Sequence, residues 1–531
     1  MKKLLFSTLF FLGFFSWTQA QSTANDWQSD LRFLQTTVHS DYAFLLKKIT
    51  RKDFDAQIEK LYQDIPTLQP HQILVGFSRI VATLQYGHTY VAFDNKTVKF
   101  HRLPVQFMQF SDGVYLQAVT RDYPKAVGAK VLKMGDMPID AALKAIYPVV
   151  SAENSQFFKA YSADALRTPE ILHAQRVLPN LTNKIKLTLE KEGKIFDQIF
   201  EAKETFETDE QYGFFKENKT WLDARNSDKT PLYLKDLNKM YFFEYLPDSK
   251  TVYVRHSQIE DDPSEDIPTF YARLFDFIEH NDVEKLVLDV RLNGGGNNYK
   301  NKAIVTSLIK SSKINQKGKF FVILGARTFS ACQNLVNELH NYTNALFVGE
   351  PTGENINFYG DNRLIELPKT KVPVRLSFAW WQDKPEWDND DWLAPNLPVD
   401  MSFDDYRSNR DPVLDAAVRF SDKNFVIDPM AHLFDLFQKG NIPMIETETL
   451  RFSKDSRYRY QNLEAKLTQA GGRLLEQNQL QSGLYVLDLV TRVYPQSAKA
   501  WTALAKGLEK ANQPEKAVLA QKKAADLGGK K

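Results

Sequence analysis

The chain has 531 residues, 43% of them apolar, 25% charged and 13% aromatic, with 68 basic against 66 acidic side chains. At roughly 150 residues per domain this length predicts about three or four domains, and the composition excludes a disordered, collagen-like or coiled-coil chain. A formal charge of +2 gives no electrostatic case for binding nucleic acid or an anionic membrane.

Residues 1–20 read as a secretory signal peptide. Lys2 and Lys3 precede an almost continuous apolar run from Leu4 to Trp17, and Thr18-Gln19-Ala20 offers a small-residue cleavage site. The run is shorter than the ~20 residues a spanning helix needs, so an integral membrane anchor is not expected. Removing the two lysines with the leader leaves a mature chain of zero formal charge. Cys332 is the sole cysteine, which excludes an intrachain disulfide, and no cysteine near residue 20 suggests a lipid anchor. The expected location is a bacterial periplasm or the exterior.

From Asp26 to Gln85 the pattern is helical. Ile73, Leu74, Phe77, Ile80, Val81 and Leu84 fall on one helical face, and Gly87 is the expected positive-φ stop before His88-Thr89-Tyr90. Short strands are expected over 103–107, 114–119 and 130–134, followed by a turn at Gly135-Asp136-Met137-Pro138 and a helix from Asp140. Residues 200–235 are charged and poorly periodic, as in a linker. Buried strands are then expected at 285–290, 320–324 and 345–348, alternating with helices at 299–310 and after Ser330. That order is the grammar of an α/β core. The last hundred residues are helical, and at a spacing of 34 Gly471 matches Ala505, Gly483 matches Ala517 and Val490 matches Ala524. Such a pairing of small residues fits tetratricopeptide-type hairpins.

Three places could carry chemistry. Ser330 lies in a strand-to-helix turn, where the helix N-terminus would favour an oxyanion; the same position suits an ordinary N-cap. Gly294-Gly295-Gly296 follows a buried strand and reads as a tight turn or as a donor loop for a carbonyl. Neither Gly-x-Gly-x-x-Gly nor Gly-Lys-Ser/Thr is present, so a nucleotide site is discounted. His88 is a loop histidine that reads as a capping or core residue or as a general base. Cys332, two residues beyond Ser330, sits on the apolar face of its helix and reads as core. The histidines form no His-Glu-x-x-His pattern, and neither a metal nor an organic cofactor is expected. Trp380, Trp381, Trp387 and Trp392 read as a hydrophobic pocket or as core.

Taken together these segments resemble the tail-specific, or carboxyl-terminal-processing, serine protease family. Residues 285–296 (KLVLDVRLNGGG) look like its glycine-loop motif, Thr328-Phe-Ser-Ala-Cys-Gln333 like its nucleophile motif, and Val348-Gly-Glu-Pro-Thr-Gly353 like the loop that follows. Pro395 to Val399 and Asp404 to Leu414 resemble its closing segment, and Tyr86-Gly-His-Thr-Tyr90 the Gly-His-Thr element of the tricorn-core-like branch. The likeness covers roughly residues 30–420. It implies an α/β, ClpP/crotonase-like protease core over 236–420, an N-terminal helical region over 21–100, a PDZ-like module within 101–200, and a tetratricopeptide-like region over 425–531.

Residue by residue, the resemblance makes Ser330 the nucleophile and the amides of Gly295 and Ala331 the oxyanion donors. One branch uses a lysine base about two dozen residues after the serine, but here that stretch reads Thr352-Gly353-Glu354-Asn355, so a Ser–Lys dyad is not expected. The other branch uses a histidine, which fits His88, oriented by an acid shortly before a Pro-Asp-Ile-type motif that reads Pro395-Asn396-Leu397 here. Glu386, Asp388, Asp390 and Asp391 precede it, and Asp388 fits the spacing. The expected function is an exported serine endopeptidase acting on proteins or peptides, with a further protein partner on the C-terminal helices. The rival is a catalytically inactive peptide-binding protein on the same scaffold.

Overall fold

The apolar runs 285–290, 320–324 and 345–348 become the buried centre of a six-stranded sheet. In this computed structural model, which describes residues 22–226, 229–386, 388–421 and 425–528, its order is Tyr241–Leu246, Thr251–His256, Lys285–Asp289, Phe320–Leu324, Leu346–Gly349 and Leu397–Pro398. The first pair is antiparallel and every later pair parallel. Near-continuous Val, Ile, Leu and Phe is what a parallel strand covered on both faces requires. Helices Ile267–His280, Asn301–Lys310 and Ala331–Tyr342 pack on one face through Phe270, Leu274, Ile304, Leu308, Leu335 and Val336, while Val413, Leu414 and Ala417 of the helix Pro412–Val418 cover the other. Cys332 is fully buried in this core. The expected signal peptide and Trp387 lie outside the described residues.

A second, seven-stranded sheet is antiparallel throughout. It contains Val105–Phe110, Gly113–Thr120, Lys130–Met134, Lys184–Lys191 and Lys194–Glu201. Residues 200–235, expected as a linker, contribute to it. Trp221–Asp223 pairs with Gly113–Thr120, and the buried Trp221 ring anchors that strand. Partners far away in sequence hold this stretch: Gln117 Nε2 donates to the Phe215 carbonyl, and Asp223 accepts from the Tyr406 hydroxyl.

Helices Ala24–Asp41, Arg51–Asp64 and Pro70–Ala82 form the N-terminal region. The last ends five residues before Gly87, and the left-handed residue at its exit is Gln85 (φ 54°), not the expected Gly87. Gly87 serves packing instead, since a Cβ there would meet Phe157 Cε2 at 2.4 Å and Phe329 Cζ at 2.8 Å. Tyr90–Val91 then joins Pro373–Trp381 and Phe358–Glu366 in a three-stranded sheet.

The C-terminal helices Leu463–Glu476, Leu480–Val493, Ala498–Lys510 and Pro514–Gly528 pack as successive hairpins. Their 34-residue pattern of small residues has a steric cause: a Cβ at Gly483 would lie 2.9 Å from the Gly471 carbonyl oxygen, and Ala505, Ala517 and Ala524 are all buried. No helix among the described residues is long and apolar enough to cross a membrane.

Candidate active site

Ser330 follows the central strand Phe320–Leu324 and immediately precedes the helix Ala331–Tyr342, in a backbone conformation (φ 57°, ψ −130°) that side-chain-bearing residues rarely adopt. Such strain costs about 1–3 kcal/mol and persists only where the surroundings impose it. They do so here. The Phe329 amide donates to the Asn293 carbonyl, Thr328 Oγ1 donates to the Val290 carbonyl, and Asn301 Nδ2 donates to the Ala331 carbonyl. The turn carrying Ser330 is thereby tied to the glycine loop on the neighbouring strand.

The glycines of that loop are sterically required. A Cβ at Gly295 (φ 103°) would sit 2.5 Å from Ser330 Cβ and 2.9 Å from the Ala331 amide nitrogen. The expected pair of oxyanion donors is present only in part. The Gly295 N–H donates to Asn293 Oδ1 at 2.9 Å, an Asx-type bond that occupies it. The Ala331 N–H, the first of its helix, has no intrahelical acceptor and faces the side where the helix dipole favours negative charge.

His88 reaches this turn from 242 positions earlier in the chain. Its Nε2 lies 2.9 Å from Ser330 Oγ. The imidazole is stacked between Phe329 (4.5 Å, 19° between planes) and Phe358 (6.1 Å, 11°), which fixes the ring plane. On its far side Thr89 exchanges hydrogen bonds with Ser377, and the strand beginning at Tyr90 is paired to Arg375.

The acid beside His88 is Glu354, not Asp388. Glu354 Oε1 lies 3.2 Å from His88 Nδ1, without the alignment of a hydrogen bond, and its Oε2 accepts from the Ser330 N–H. Asp388, itself half-exposed, instead faces the buried ammonium of Lys384 at 3.5 Å, on the rim of a polar cavity with His340 and Asp390. Its position is set by a local i,i+4 ion pair that turns it toward that cavity. Among the other three acids weighed, Asp390 pairs with Lys466.

A fourth residue that sequence reasoning did not single out completes the cluster. Glu153 is buried, and its two oxygens accept from the Gly87 amide (2.8 Å) and the Asn355 amide (3.1 Å), the residues flanking His88 and Glu354. His88, Glu153 and Glu354 each place one ligand-capable atom within 4.8 Å of the other two. Burial, then the neighbouring Glu354 charge, pushes the Glu153 carboxyl up to about 8; burial likewise drives Glu354 well above the ordinary carboxyl range. Two buried carboxyls this close do not both ionise readily, and both are pushed toward their protonated forms. Burial lowers the His88 pKa, opposed by the charge of Glu153. Cys332 is the other candidate thiol or hydroxyl near the turn, and burial pushes its thiol well above the ordinary range, which leaves it unreactive.

Close to this centre, a cavity of about 150 Å³ lies between the two large sheets, lined by Phe107, Phe110, Leu292, Arg327, Glu350 and Met401. Its walls are mostly apolar, with the Lys159–Glu350 ion pair at one edge.

No protein-family model matches the chain, and no curated protein matches it. Solved structures do. Mature CPAF is 12% identical, with a TM-score of 0.53 over 76% of this chain and 99% of that one. The complex of mature CPAF with lactacystin is also 12% identical, with a TM-score of 0.51 over 72% and 95%. This chain has the CPAF fold. A photosystem II D1 C-terminal processing protease is a more distant likeness, 12% identical with a TM-score of 0.34 over 70% of this chain and 93% of that one. The match takes in nearly all of CPAF, so the likeness is to that whole fold and not to a single βαβ unit.

Proposed function

We propose that the chain is an exported serine endopeptidase of the tail-specific kind, working through Ser330, His88 and Glu354. The observation that carries this reading is the 2.9 Å approach of His88 Nε2 to the hydroxyl of a serine held at positive φ on a helix N-terminus. A serine in a merely capping role needs neither the strain nor the histidine. Ser330 Oγ attacks the peptide carbonyl while His88 Nε2 takes its proton and later returns it to the leaving amine. A negative charge on Glu354 as the proton is taken up stabilises the imidazolium, and the 3.2 Å contact at Nδ1 shortens as charge develops, as acid–base contacts do on going from the free enzyme to the reacting complex. The Ala331 N–H receives the oxyanion; the Gly295 N–H joins it by leaving Asn293.

The neighbouring apolar cavity suits a hydrophobic substrate side chain near the cleaved bond. The antiparallel sheet is the region of PDZ-like character, and the C-terminal hairpins are a tetratricopeptide-like surface for a protein partner. Turnover of internally quenched peptides with apolar residues tests the activity. Cleavage by the wild type that is lost in Ser330→Ala and His88→Ala supports the proposal; cleavage that survives Ser330→Ala refutes it. A folded wild type that binds these peptides without cutting them would favour a peptide-binding protein.

A further inference from the structure

The carboxylates beside His88 hold more than an orienting role requires. His88 Nδ1 and Glu354 Oε1 are both buried, and neither has a hydrogen-bond partner. They stand 3.2 Å apart. Ligand atoms of a tetrahedral zinc ion, at bond lengths near 2.0–2.1 Å, are separated by about 3.3 Å along each edge. Glu153 supplies a third oxygen within 4.8 Å of both. Each carboxylate is already oriented from behind by backbone amides: Glu354 by Ser330, and Glu153 by Gly87 and Asn355. The far nitrogen of the imidazole is bonded to Ser330 Oγ. Fixed carboxylates and a histidine tied at its second nitrogen are the outer-shell arrangement that metal-binding residues require. No spacing motif could have shown this, because the three ligands come from three separate parts of the chain.

We infer that His88, Glu153 and Glu354 form an inhibitory site for a divalent transition-metal ion of the zinc type. The inhibitory part of this inference rests on the peptidase reading; the binding part does not. In the active tautomer the imidazole proton is on Nδ1 and the lone pair on Nε2 accepts the serine proton. A zinc ion takes the Nδ1 lone pair, so the one imidazole proton must sit on Nε2, where it donates to Ser330 Oγ. Any proton the two carboxyls hold is released to solvent as they bind the cation. The base has then lost its accepting lone pair, and Ser330 cannot be activated. Removing the metal restores the original tautomer, so inhibition is reversible.

The full chain, freed of metal by dialysis against a chelator, is titrated with cobalt(II) as a spectroscopic stand-in, and the bound cobalt is then displaced with zinc. One cobalt per chain with the intense visible bands of a tetrahedral site is expected. Ser330→Ala should retain the bands, while Glu354→Gln and Glu153→Gln should weaken binding by at least about tenfold. In parallel, zinc should suppress fluorophosphonate labelling of the wild type and a chelator should restore it, a comparison that needs no variant to fold. A wild type that labels but neither binds cobalt tetrahedrally nor is slowed by zinc overturns the metal site and leaves the peptidase intact. Cobalt binding undiminished in both glutamine variants also overturns it. A wild type that binds cobalt with the expected dependence on Glu153 and Glu354 but never labels upholds the site and removes the peptidase reading instead.

Discussion

His88 is placed by its neighbours more than by its own segment. Phe329 and Phe358 fix its plane, Ser330 and Glu354 face its two nitrogens, and Glu153 ties the backbone beside it to the backbone beside Glu354. Glu354→Gln preserves an acceptor for the Ser330 amide but removes the charge. The expected loss in kcat/KM is about 10³–10⁴-fold, the size seen when a triad acid becomes an amide. Asp388→Asn, which weakens an ion pair with Lys384 that touches neither Ser330 nor His88, should leave kcat/KM within about twofold, as expected of sites that share no partners. Equal losses in the two variants would return the acid to Asp388. Ser330 and His88 could be singled out because each sits in a short motif shared with the protease family; their local sequence alone left capping and core roles open. Glu354 was visible as the residue standing where a lysine was sought, but its pairing with His88 depends on a contact across the fold. Glu153 had no local signal at all: its importance lies in two backbone amides far from it in sequence.

The element that shapes the site is the strand-to-helix turn at 328–331 pressed against the glycine loop. Gly295→Ala would force a Cβ to within 2.5 Å of Ser330 Cβ, at a φ that disfavours any side chain, so labelling of Ser330 should be abolished while the fold of the distant C-terminal helices persists. The strain at Ser330 gives a separate expectation. Ser330→Gly removes the cost of positive φ, whereas Ser330→Ala keeps it, so the glycine variant should be more stable than the alanine variant by about 1 kcal/mol. Denaturant midpoints compare the two directly, and an alanine variant as stable as the glycine would show the turn to be unstrained. The parallel strands were legible for a simple reason: apolar runs of five flanked by helical periodicity leave few alternatives. The 200–235 stretch was not, because a short edge strand such as Trp221–Asp223 gains its stability from a neighbour and leaves no alternation long enough to read.

Across the whole molecule the closing segment is locked to the core by buried charge. Arg291 makes a bidentate pair with Asp411 (3.0 and 2.9 Å) and also bonds Asp289, which accepts from the Tyr253 hydroxyl. Arg291 keeps Asp289 when Asp411 is lost, but the bidentate bonds and the cap that Asp411 gives the Leu414 amide go, so Asp411→Ala should destabilise the protein by about 2–4 kcal/mol, measured by chemical denaturation. His256 provides a test in acid. Burial lowers its pKa to about 3, below the ordinary 6.5 of the unfolded chain, so its contribution to stability is complete above pH 6.5 and falls as the unfolded state takes up a proton the folded state refuses. His256→Phe sacrifices the contact with Tyr271 at every pH, yet should abolish this loss, making the fall in stability from pH 7 to pH 5 smaller by about 2 kcal/mol. An unchanged pH dependence would contradict the neutral, buried assignment.

The central claim is that Ser330 is an activated nucleophile because His88 serves it. The most direct measurement is reaction of the purified protein with a fluorophosphonate, with the adduct located by peptide mass spectrometry. The account predicts one adduct on Ser330 in the wild type, none in Ser330→Ala and a sharply slowed reaction in His88→Ala. An adduct at another residue, or on Ser330 at the same rate without His88, would contradict it.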